Sequence, residues 1–416
     1  MLLRARIVLP VSQPPIADGF VRMAGDRITE VGTWADLADS SGAEDLGEVI
    51  LMPGLVNAHC HLDYTDFIGA IPPQKSFTDW INALVDLKRD LDDVAHCQSW
   101  LRGARQSLRH GVTTLGNIET RWNHLPQLWR QTPLRFVSFL ELIVLRAESD
   151  SKKALLEAMN WAREDPPPLG TLGISPHAPY TTKQDLLEAC AGMMEMPIAI
   201  HVAESVEEDE MFRGGTGALH EKMAEVGRDM GDCGKRSPLA QVAASGVLSK
   251  NVLIIHGNYL DAADIQSVAR SGASLVHCPR SHRYFGHADF RFSDLESAGV
   301  NLCLGTDSLA TMREPDAKLD LFSEMRLFQQ CHSELLSEQL LQMATTHPAA
   351  ALGLEGQVGE LAEGAFADLA VIPFAGSIES AATAVVDHSD EVQRVMIDGQ
   401  WQWPEPSSPV DHVQQS

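Results

Sequence analysis

Short apolar runs, each ending in a polar or charged residue, alternate along the middle of the chain with longer amphipathic segments. Near-continuous apolar strands are typical of a parallel sheet that is covered on both faces. The intervening segments predict helices, and the clearest are 77–91, 183–194 and 261–271, the last of which ends before Gly272. The predicted strands occupy eight runs, at 49–61, 112–119, 135–143, 172–178, 198–204, 252–258, 274–279 and 301–307.

Eight strand–helix units in succession predict an α/β fold, a (β/α)8 barrel of the TIM type. A doubly wound parallel sheet is the alternative. Both ends of the chain differ from the middle, because they contain alternating strand-like pieces separated by turn residues. We expect residues 1–50 and 356–405 to form one small β-sandwich domain beside a barrel over 51–355. The polar, proline-containing tail over 406–416 is expected to be disordered.

The charge balance and the cysteines narrow the classes of protein that fit. The 416 residues include 57 acidic and 32 basic ones, for a formal charge of −25. An acidic chain is a poor match for nucleic acid or anionic membranes, and no apolar run approaches the ~20 residues of a membrane span. The N-terminal MLLRARIVLPVSQPP lacks the apolar core of a signal peptide, and seven cysteines without a CxxC motif favour reduced thiols. We therefore expect a cytoplasmic protein.

Ionisable side chains stand at the ends of the first, fifth, sixth and eighth runs. Because the carboxyl ends of barrel strands converge on one face, these side chains are expected to share one mouth. A mixture of imidazoles and carboxylates suits zinc or a similar divalent ion. The side chains are those of His59, His61, His201, Glu204, His256 and Asp307.

The sharpest element of this group is His59-Cys60-His61. Residues i and i+2 of an extended strand face the same way, so both imidazoles can reach one ion. A His-x-His pair alone is a weak signal, since most such histidines lie on the surface or in a core. Combined with histidines and an aspartate at the ends of three other strands, the pair predicts a metal site.

Six motifs appear in order at the predicted strand ends: NAHCHLD, SPHAPYTT, HVAESVEE, IIHGNYL, HCPRSH and LGTDSLA. Together they resemble the successive signatures of the amidohydrolase superfamily, in its branch of metal-dependent deaminases and chlorohydrolases. The resemblance covers nearly the whole chain, including the divided β-rich flanks. The motifs are most similar to those of aminodeoxyfutalosine deaminases and of deaminases that act on S-adenosylhomocysteine or adenosine.

The resemblance implies a site for one divalent ion, bound by His59, His61, His201 and Asp307. Zinc is the expected metal, and iron or manganese is the alternative. Members with two metals carry a bridging lysine near the end of the fourth strand. The matching segment here, ISPHAPY, has no lysine, which favours one ion.

Three side chains are expected to carry the chemistry around this ion, which would lower the pKa of a bound water from ~15.7 toward ~7. Asp307 would accept a proton from that water, and Glu204 would protonate a ring nitrogen of the substrate. His256 would stabilise charge on the attacking oxygen, and the nitrogen would leave as ammonia. The alternative for Glu204 is a carboxylate that only starts a helix.

Two further residues are expected to contact the substrate. His177 ends the fourth predicted strand, and the resemblance implies that it touches the substrate rather than the metal. A buried, hydrogen-bonded structural histidine is the alternative. Ser308 directly follows Asp307 and is the second expected contact. The long segment after the first strand could cover the pocket, with Trp80 facing the substrate.

The stretch HCPRSHRYFGH is unusually basic for this acidic chain. In S-adenosylhomocysteine-type deaminases the matching segment reads His-x-Pro-x-Ser-Asn, whereas here His282 replaces the asparagine. Because the arginine fork suits carboxylates, Arg280, His282 and Arg283 are expected to bind an aromatic, anionic tail. Pairing of the two arginines with local acids such as Asp289 or Glu314 is the alternative.

The expected function is metal-dependent hydrolytic deamination of an aminopurine nucleoside derivative. Aminodeoxyfutalosine, an intermediate of the futalosine route to menaquinone, is the leading candidate because its carboxyphenyl group would give the arginines a partner. Alternatives are deamination of S-adenosylhomocysteine, methylthioadenosine, adenosine or guanine, and chlorohydrolysis or aminohydrolysis of an s-triazine. A non-catalytic binding protein is the remaining alternative, although such relatives usually lose ligands that this chain keeps. A homodimer is an expectation from the family only.

Overall fold

The computed structural model describes residues 1–193 and 196–404. Within them the strands form two separate eight-stranded sheets. The tail predicted to be disordered, 406–416, lies outside the described residues. No helix in the described ranges is both long and apolar enough to cross a bilayer.

Strands and helices alternate through the middle of the chain. The strands are β1 (Leu2–Val8), β2 (Ile16–Ala24), β3 (Arg27–Thr33), β4 (Glu44–Asp45), β5 (Val49–Pro53), β6 (Leu55–Cys60), β7 (Val112–Glu119), β8 (Arg135–Leu142), β9 (Gly170–Pro176), β10 (Ile198–Val202), β11 (Val252–His256), β12 (Ser274–His277), β13 (Leu302–Leu304), β14 (Leu369–Pro373), β15 (Arg394–Ile397) and β16 (Gln400–Trp403). The α-helices are α1 (Phe77–Asp90), α2 (Asp93–Arg109), α3 (Leu125–Trp129), α4 (Ser151–Glu164), α5 (Gln184–Cys190), α6 (Val206–Asp209), α7 (Ala218–Glu225), α8 (Pro238–Ala244), α9 (Ala262–Ser271), α10 (Pro279–Phe285), α11 (Phe292–Ser297), α12 (Leu321–Cys331), α13 (Ser337–Met343), α14 (Thr346–Ala351) and α15 (Ala381–Val386).

The second sheet is a barrel. Strands β6 to β13 lie side by side in sequence order, and each pair of neighbours is parallel. Between β13 and β6 an isolated bridge joins Asp307 to Cys60, and the Asp307 N–H donates to the His59 carbonyl at 3.1 Å. This order and this contact confirm the TIM-type barrel over the doubly wound alternative.

The alternating contacts of the barrel strands explain their continuous apolar runs. Along β11, Leu253 and Ile255 pack inside the barrel, whereas Val252 and Ile254 pack against the surrounding helices. Both faces of each strand are therefore buried, as parallel sheets require. The helix caps also follow the sequence, since Asp261 caps α9 through a capping box and Gly272 ends it with φ +73°.

The first predicted strand, 49–61, is in fact two strands in different sheets. Strand β5 pairs with β1 and β14, whereas β6 begins the barrel. Gly54 lies between them against Thr113, and a Cβ at this position would come within 2.1 Å of the Thr113 Oγ1. Only glycine leaves room for the chain to cross from one sheet to the other here.

Both flanks of the chain contribute to the first sheet, in the order β16-β15-β14-β5-β1-β2-β3, with β4 beside β1. The predicted second domain, built from both ends of the chain, is therefore confirmed. A buried ion pair joins this sheet to the barrel, because Arg135 at the start of β8 donates to Asp368 just before β14. The barrel end that carries this pair is opposite to the end at which the strands terminate.

Candidate active site

The structure brings the predicted metal-binding histidines together at the carboxyl ends of the strands. His59 lies near the end of β6, His61 directly follows it, and His201 lies on β10. One ring nitrogen from each of the three lies within 4.8 Å of the others. The Asp307 Oδ1 is 3.6 Å from the His59 Nε2 and 3.7 Å from the His61 Nε2. The four predicted ligands therefore converge on one point.

Buried nitrogens without partners test whether this group fits a metal ion. Both ring nitrogens of His59 and the Nδ1 of His61 are buried without a hydrogen bond to any described residue. Unpaired polar atoms in an interior are costly, and a bound ion would satisfy one on each ring. The His201 Nδ1 lies 2.8 Å from the His177 carbonyl, to which it can donate, so its Nε2 is left for the ion. Three imidazoles and a carboxylate fit a zinc-type ion.

The protonation states also suit ligands of a cation. Burial lowers the pKa of His61 and of His201 well below its usual range, so both rings are neutral and can offer a lone pair. Burial acts in the opposite direction on Asp307 and would raise its pKa. The surrounding histidines, with the His59 Nε2 3.6 Å from the carboxylate, outweigh burial and lower the Asp307 pKa, so the carboxylate stays ionised.

Three strand ends share an unusual backbone conformation. Ala203 after β10, His256 at the end of β11 and Asp307 after β13 have φ values of +54°, +71° and +53°. Non-glycine residues in this left-handed region cost about 1–3 kcal/mol each, and such residues persist where the surrounding structure fixes them. The turns lie where each strand reaches the mouth of the barrel.

Glu204 and His256 lie beside the predicted ligands. The Glu204 Oε1 is 3.4 Å from the His256 Nε2. Burial, reinforced by the negative charge of Asp307, raises the pKa of Glu204 well above its usual range. This shift favours the protonated form of the carboxyl, which can donate a proton. Burial lowers the pKa of His256, which keeps that ring neutral.

These side chains open into a cavity of about 900 Å³. The predicted substrate contacts His177 and Ser308 both line it, and so does Trp80. The His177 Nδ1 lies 2.7 Å from the Thr181 Oγ1, and burial lowers the His177 pKa to about 3. His177 is thus hydrogen-bonded, as expected of a structural histidine, and it also lines the cavity, as expected of a substrate contact.

The cavity also contains residues that sequence reasoning missed. These are Tyr64, Lys88, Arg89, Glu141, Arg146 and Tyr180. Tyr64 stacks on His61 with ring centroids 5.3 Å apart, and the Lys88 Nζ lies 5.0 Å above the Tyr64 ring. Glu141 could have been found, because it is the polar residue inside the apolar run RFVSFLELI. The lysine and arginines carried no such signal.

The basic stretch HCPRSHRYFGH does not contribute to this cavity. It forms α10, which turns Arg280 toward α12, where its Nε donates to the Glu324 Oε1 at 2.5 Å. Arg283 is exposed, with its guanidinium 3.5 Å from Glu314. His282 lies with its Nε2 3.0 Å from a backbone carbonyl. Both arginines thus pair with acids of the chain, Arg283 with the Glu314 that the alternative named and Arg280 with Glu324. The anion contacts expected of Arg280, His282 and Arg283 stay a prediction.

Comparison with known proteins identifies the family. The model of the amidohydrolase family matches residues 50–402. The chain belongs to the amidohydrolase family. It is therefore a hydrolytic enzyme that acts on C–N bonds, in a family that depends on metal ions.

Individual relatives agree with this assignment. An aminodeoxyfutalosine deaminase of Deinococcus radiodurans is 30% identical over 312 residues, which cover 70% of this chain and 72% of the relative. A 5-methylthioadenosine/S-adenosylhomocysteine deaminase of Pyrococcus furiosus is 26% identical over 373 residues, covering 86% of this chain and 81% of that one.

Solved structures share the fold. The aminofutalosine deaminase of Helicobacter pylori, in complex with methylthio-coformycin, superposes with a TM-score of 0.85 at 22% identity, covering 96% of this chain and 99% of that chain. An adenosine deaminase of Xanthomonas campestris with bound zinc gives a TM-score of 0.81 at 23% identity, covering 96% and 92%. At these identities the likeness establishes the barrel and its flanking sheet.

Proposed function

We propose that this protein hydrolytically deaminates an aminopurine nucleoside derivative with the help of one divalent ion, zinc by preference. One observation carries the proposal: two carboxyls at the same cavity have opposite pKa shifts. Burial and the nearby Asp307 charge favour the protonated form of Glu204, whereas the nearby histidines favour the ionised form of Asp307. Such a pair supplies a proton donor and a proton acceptor at one pH. Hydrolytic deamination of a ring amidine requires both.

The chain's own residues divide the proton transfers between them. An ion held by the three histidines and Asp307 supplies Lewis-acid chemistry. As a water oxygen bonds to the amino-bearing carbon, Asp307 takes one proton from the water and Glu204 gives its proton to the adjacent ring nitrogen. The C–N bond then breaks, and the amino group leaves as ammonia with the proton from Asp307. The remaining hydroxyl proton returns to Glu204, and His256 stabilises charge on the attacking oxygen.

The cavity favours a nucleoside with an acidic tail. Its volume of about 900 Å³ is near the upper end of the range of about 300–1,000 Å³ for ligand pockets, which leaves room beyond a nucleoside. Lys88 and Arg146 line it without an ion pair to any described residue. These two cations, rather than Arg280 and Arg283, would meet a carboxylate. Together with the Deinococcus radiodurans relative, they support aminodeoxyfutalosine as the leading substrate.

Deamination of methylthioadenosine or S-adenosylhomocysteine is the second candidate. It is supported by the Pyrococcus furiosus relative, which matches a larger share of this chain. The candidates differ in the tail, since methylthioadenosine is uncharged there and S-adenosylhomocysteine carries an ammonium beside its carboxylate. An aromatic carboxylate tail would use Lys88 and Arg146, whereas methylthioadenosine would leave them unused.

The test is ammonia release by zinc-loaded protein on aminodeoxyfutalosine, S-adenosylhomocysteine, methylthioadenosine, adenosine, guanine and an aminated s-triazine, together with chloride release from a chlorinated s-triazine. We expect the highest kcat/KM on aminodeoxyfutalosine. The double variant Lys88→Met/Arg146→Met should reduce the preference for the acidic tail over adenosine by about tenfold or more. Arg283→Met, an exposed arginine outside the cavity, is the matched control and should leave that preference unchanged.

Glu204→Gln separates chemistry from binding in the same assay. Loss of a general acid should lower kcat by about 10²–10⁴-fold, with the metal content unchanged. Equal turnover of adenosine and aminodeoxyfutalosine would contradict the acidic-tail substrate. Turnover of a chlorotriazine without turnover of any nucleoside would replace deamination with chlorohydrolysis.

A further inference from the structure

A short connection presents Glu204 to the cavity, and its hydrogen bonds are unusual. Strand β10 ends at Val202, and α6 begins at Val206 with Ser205 as its N-cap. In an ordinary capping box, the glutamate three residues into the helix accepts from the N–H of the cap residue. Here Glu208 holds that position, but its Oε2 accepts from the N–H of Glu204 instead, at 2.8 Å.

A second side chain bonds the backbone of the same residue, at its carbonyl. Asn258, two residues after the end of β11, donates its Nδ2 to the Glu204 carbonyl at 3.0 Å. The N–H of Tyr259 donates to the Ala203 carbonyl, also at 3.0 Å. The backbone on both sides of Glu204 is thus bonded to two different elements of the barrel.

Neither of these side chains has another evident purpose. Glu208 is fully buried and Asn258 is 5% exposed, and neither lines the cavity. The Oε1 of Glu208 and the Oδ1 of Asn258 have no partner among the described residues. Burial of a carboxyl and an amide is costly unless their hydrogen bonds offset it. The hydrogen bonds found for both side chains go to the Glu204 peptide.

The conformation of this segment explains the need for such bonds. Ala203 has φ +54°, in a region that non-glycine residues avoid, and it directly precedes Glu204. Without external hydrogen bonds the segment would relax toward ordinary backbone angles and carry the Glu204 carboxyl away from His256. A displacement of the proton donor by about 1 Å can cost a hundredfold in rate.

We infer that Glu208 and Asn258 are positioning residues that fix the Glu204 peptide and so aim its carboxyl at the substrate. The inference rests on the proposed function, because it gives Glu204 the proton transfer. Both residues act through the backbone of Glu204 and touch neither the substrate nor the predicted metal ligands.

The test combines kinetics with hydrogen exchange on the metal-loaded protein. Glu208→Ala and Asn258→Asp each remove one hydrogen bond to the Glu204 backbone, and Glu208→Asp keeps a carboxyl but is shorter by one methylene. Each should lower kcat by about ten- to a hundredfold while KM and metal content stay near wild type. Glu208→Gln keeps an acceptor oxygen and should restore most of kcat. Asp209→Asn changes a half-buried carboxylate on the same helix, which pairs with Arg213, and is the control.

Hydrogen exchange provides a readout that does not depend on activity. The Glu204 N–H should exchange about tenfold faster or more in Glu208→Ala than in wild type or Asp209→Asn, whereas the amides of β11 should not change. A kcat within about twofold of wild type in all three disrupting variants would overturn the inference, as would unchanged exchange at Glu204. If the wild type deaminates none of the substrates, the proposed function fails. The exchange result still decides whether Glu208 holds the Glu204 N–H.

Discussion

Glu119 is a buried carboxyl at the end of β7. It accepts hydrogen bonds from the Trp100 Nε1 at 3.1 Å and from the Ser138 Oγ at 2.8 Å. Burial outweighs these donors and raises its pKa to about 7. Because this pKa is higher in the folded than in the unfolded chain, the folded state binds the proton more tightly. The contribution of Glu119 to stability is therefore present in acid and lost as the pH rises toward 7.

Glu119→Gln should remove this pH dependence. An amide resembles a protonated carboxyl in shape and stays neutral, so the variant avoids the cost of a buried charge above pH 7. We expect the free energy of unfolding of the variant, relative to wild type, to rise by on the order of 2 kcal/mol between pH 5 and pH 8. Urea unfolding of both metal-loaded proteins at the two pH values measures this. Glu164→Gln, on an exposed helix end, is the control, and an equal difference at both pH values would contradict the prediction.

At the level of single residues, some features of the candidate site could be predicted from the sequence and others could not. His59 and His61 could be predicted because the two-residue period of a strand puts both rings on one side. The left-handed φ of Ala203 and His256 could not, because contacts with neighbouring strands impose it. The partner of Arg280 could not be predicted for a related reason. A basic residue at a strand end suits an anion, but its partner Glu324 lies 44 residues further along the chain.

At the scale of elements, one side chain joins the first and last strands of the barrel. The Asn57 Nδ2 on β6 donates to the Thr306 Oγ1 at 2.8 Å, and the Thr306 N–H donates back to the Asn57 Oδ1 at 3.2 Å. Thr306 directly precedes Asp307, and Asn57 lies two residues before His59. The bond therefore sets the spacing between two predicted metal ligands that come from opposite ends of the barrel sequence.

Asn57→Ala should loosen this junction and weaken metal binding. Partners of metal ligands typically contribute about ten- to a hundredfold in affinity. We expect the variant to lose its ion to a chelator at a concentration lower by about that factor. Asn301→Ala is the matched control, because Asn301 bonds Ser274 and His347 at the other end of β13. Equal chelator resistance in the Asn57 variant and wild type would exclude a role of this bond in metal binding.

The elements themselves were largely predictable, and their exceptions have a common cause. Apolar runs marked the barrel strands within a few residues, since burial on both faces leaves a continuous pattern. The run 49–61 was read as one strand because both of its halves are equally apolar, although Gly54 divides them between two sheets. The basic stretch was read as a mouth segment, but it coils into α10 and packs outward. The hydrophobic pattern shows which residues are buried, but it does not show which element they pack against.

At the scale of the whole molecule, pairing between distant parts of the chain builds the flanking sheet. The pairing of β5 with β14 joins Pro53 to Leu369, a contact that no local pattern specifies. Turn residues and the alternation of apolar and polar positions predicted strands at both ends of the chain. Because neither flank is long enough to form a domain alone, the two flanks were expected to pair with each other. Which strand pairs with which follows from tertiary contacts, and the buried pair of Arg135 and Asp368 joins the flanking sheet to the barrel.

Arg135→Met should therefore destabilise the whole molecule without harming the chemistry. Both side chains of the pair are at most 4% exposed, and the variant leaves the Asp368 carboxylate buried without its partner. We expect the free energy of unfolding to fall by about 3–5 kcal/mol, whereas Arg22→Met, which breaks the exposed pair with Glu30, should cost at most about 1 kcal/mol. The double variant Arg135→Met/Asp368→Asn should recover part of the loss, because it removes the unpaired charge.

The activity of the same variant tests whether the two ends of the barrel have separate roles. Arg135 begins β8 at the end opposite to the cavity, where barrels carry stability rather than catalysis. The kcat/KM of folded Arg135→Met should therefore stay within about twofold of wild type at a temperature where the variant remains native. A fall in kcat/KM comparable to that of Glu204→Gln would contradict this separation of roles. It would mean that the junction with the flanking sheet shapes the active site through the length of the strand.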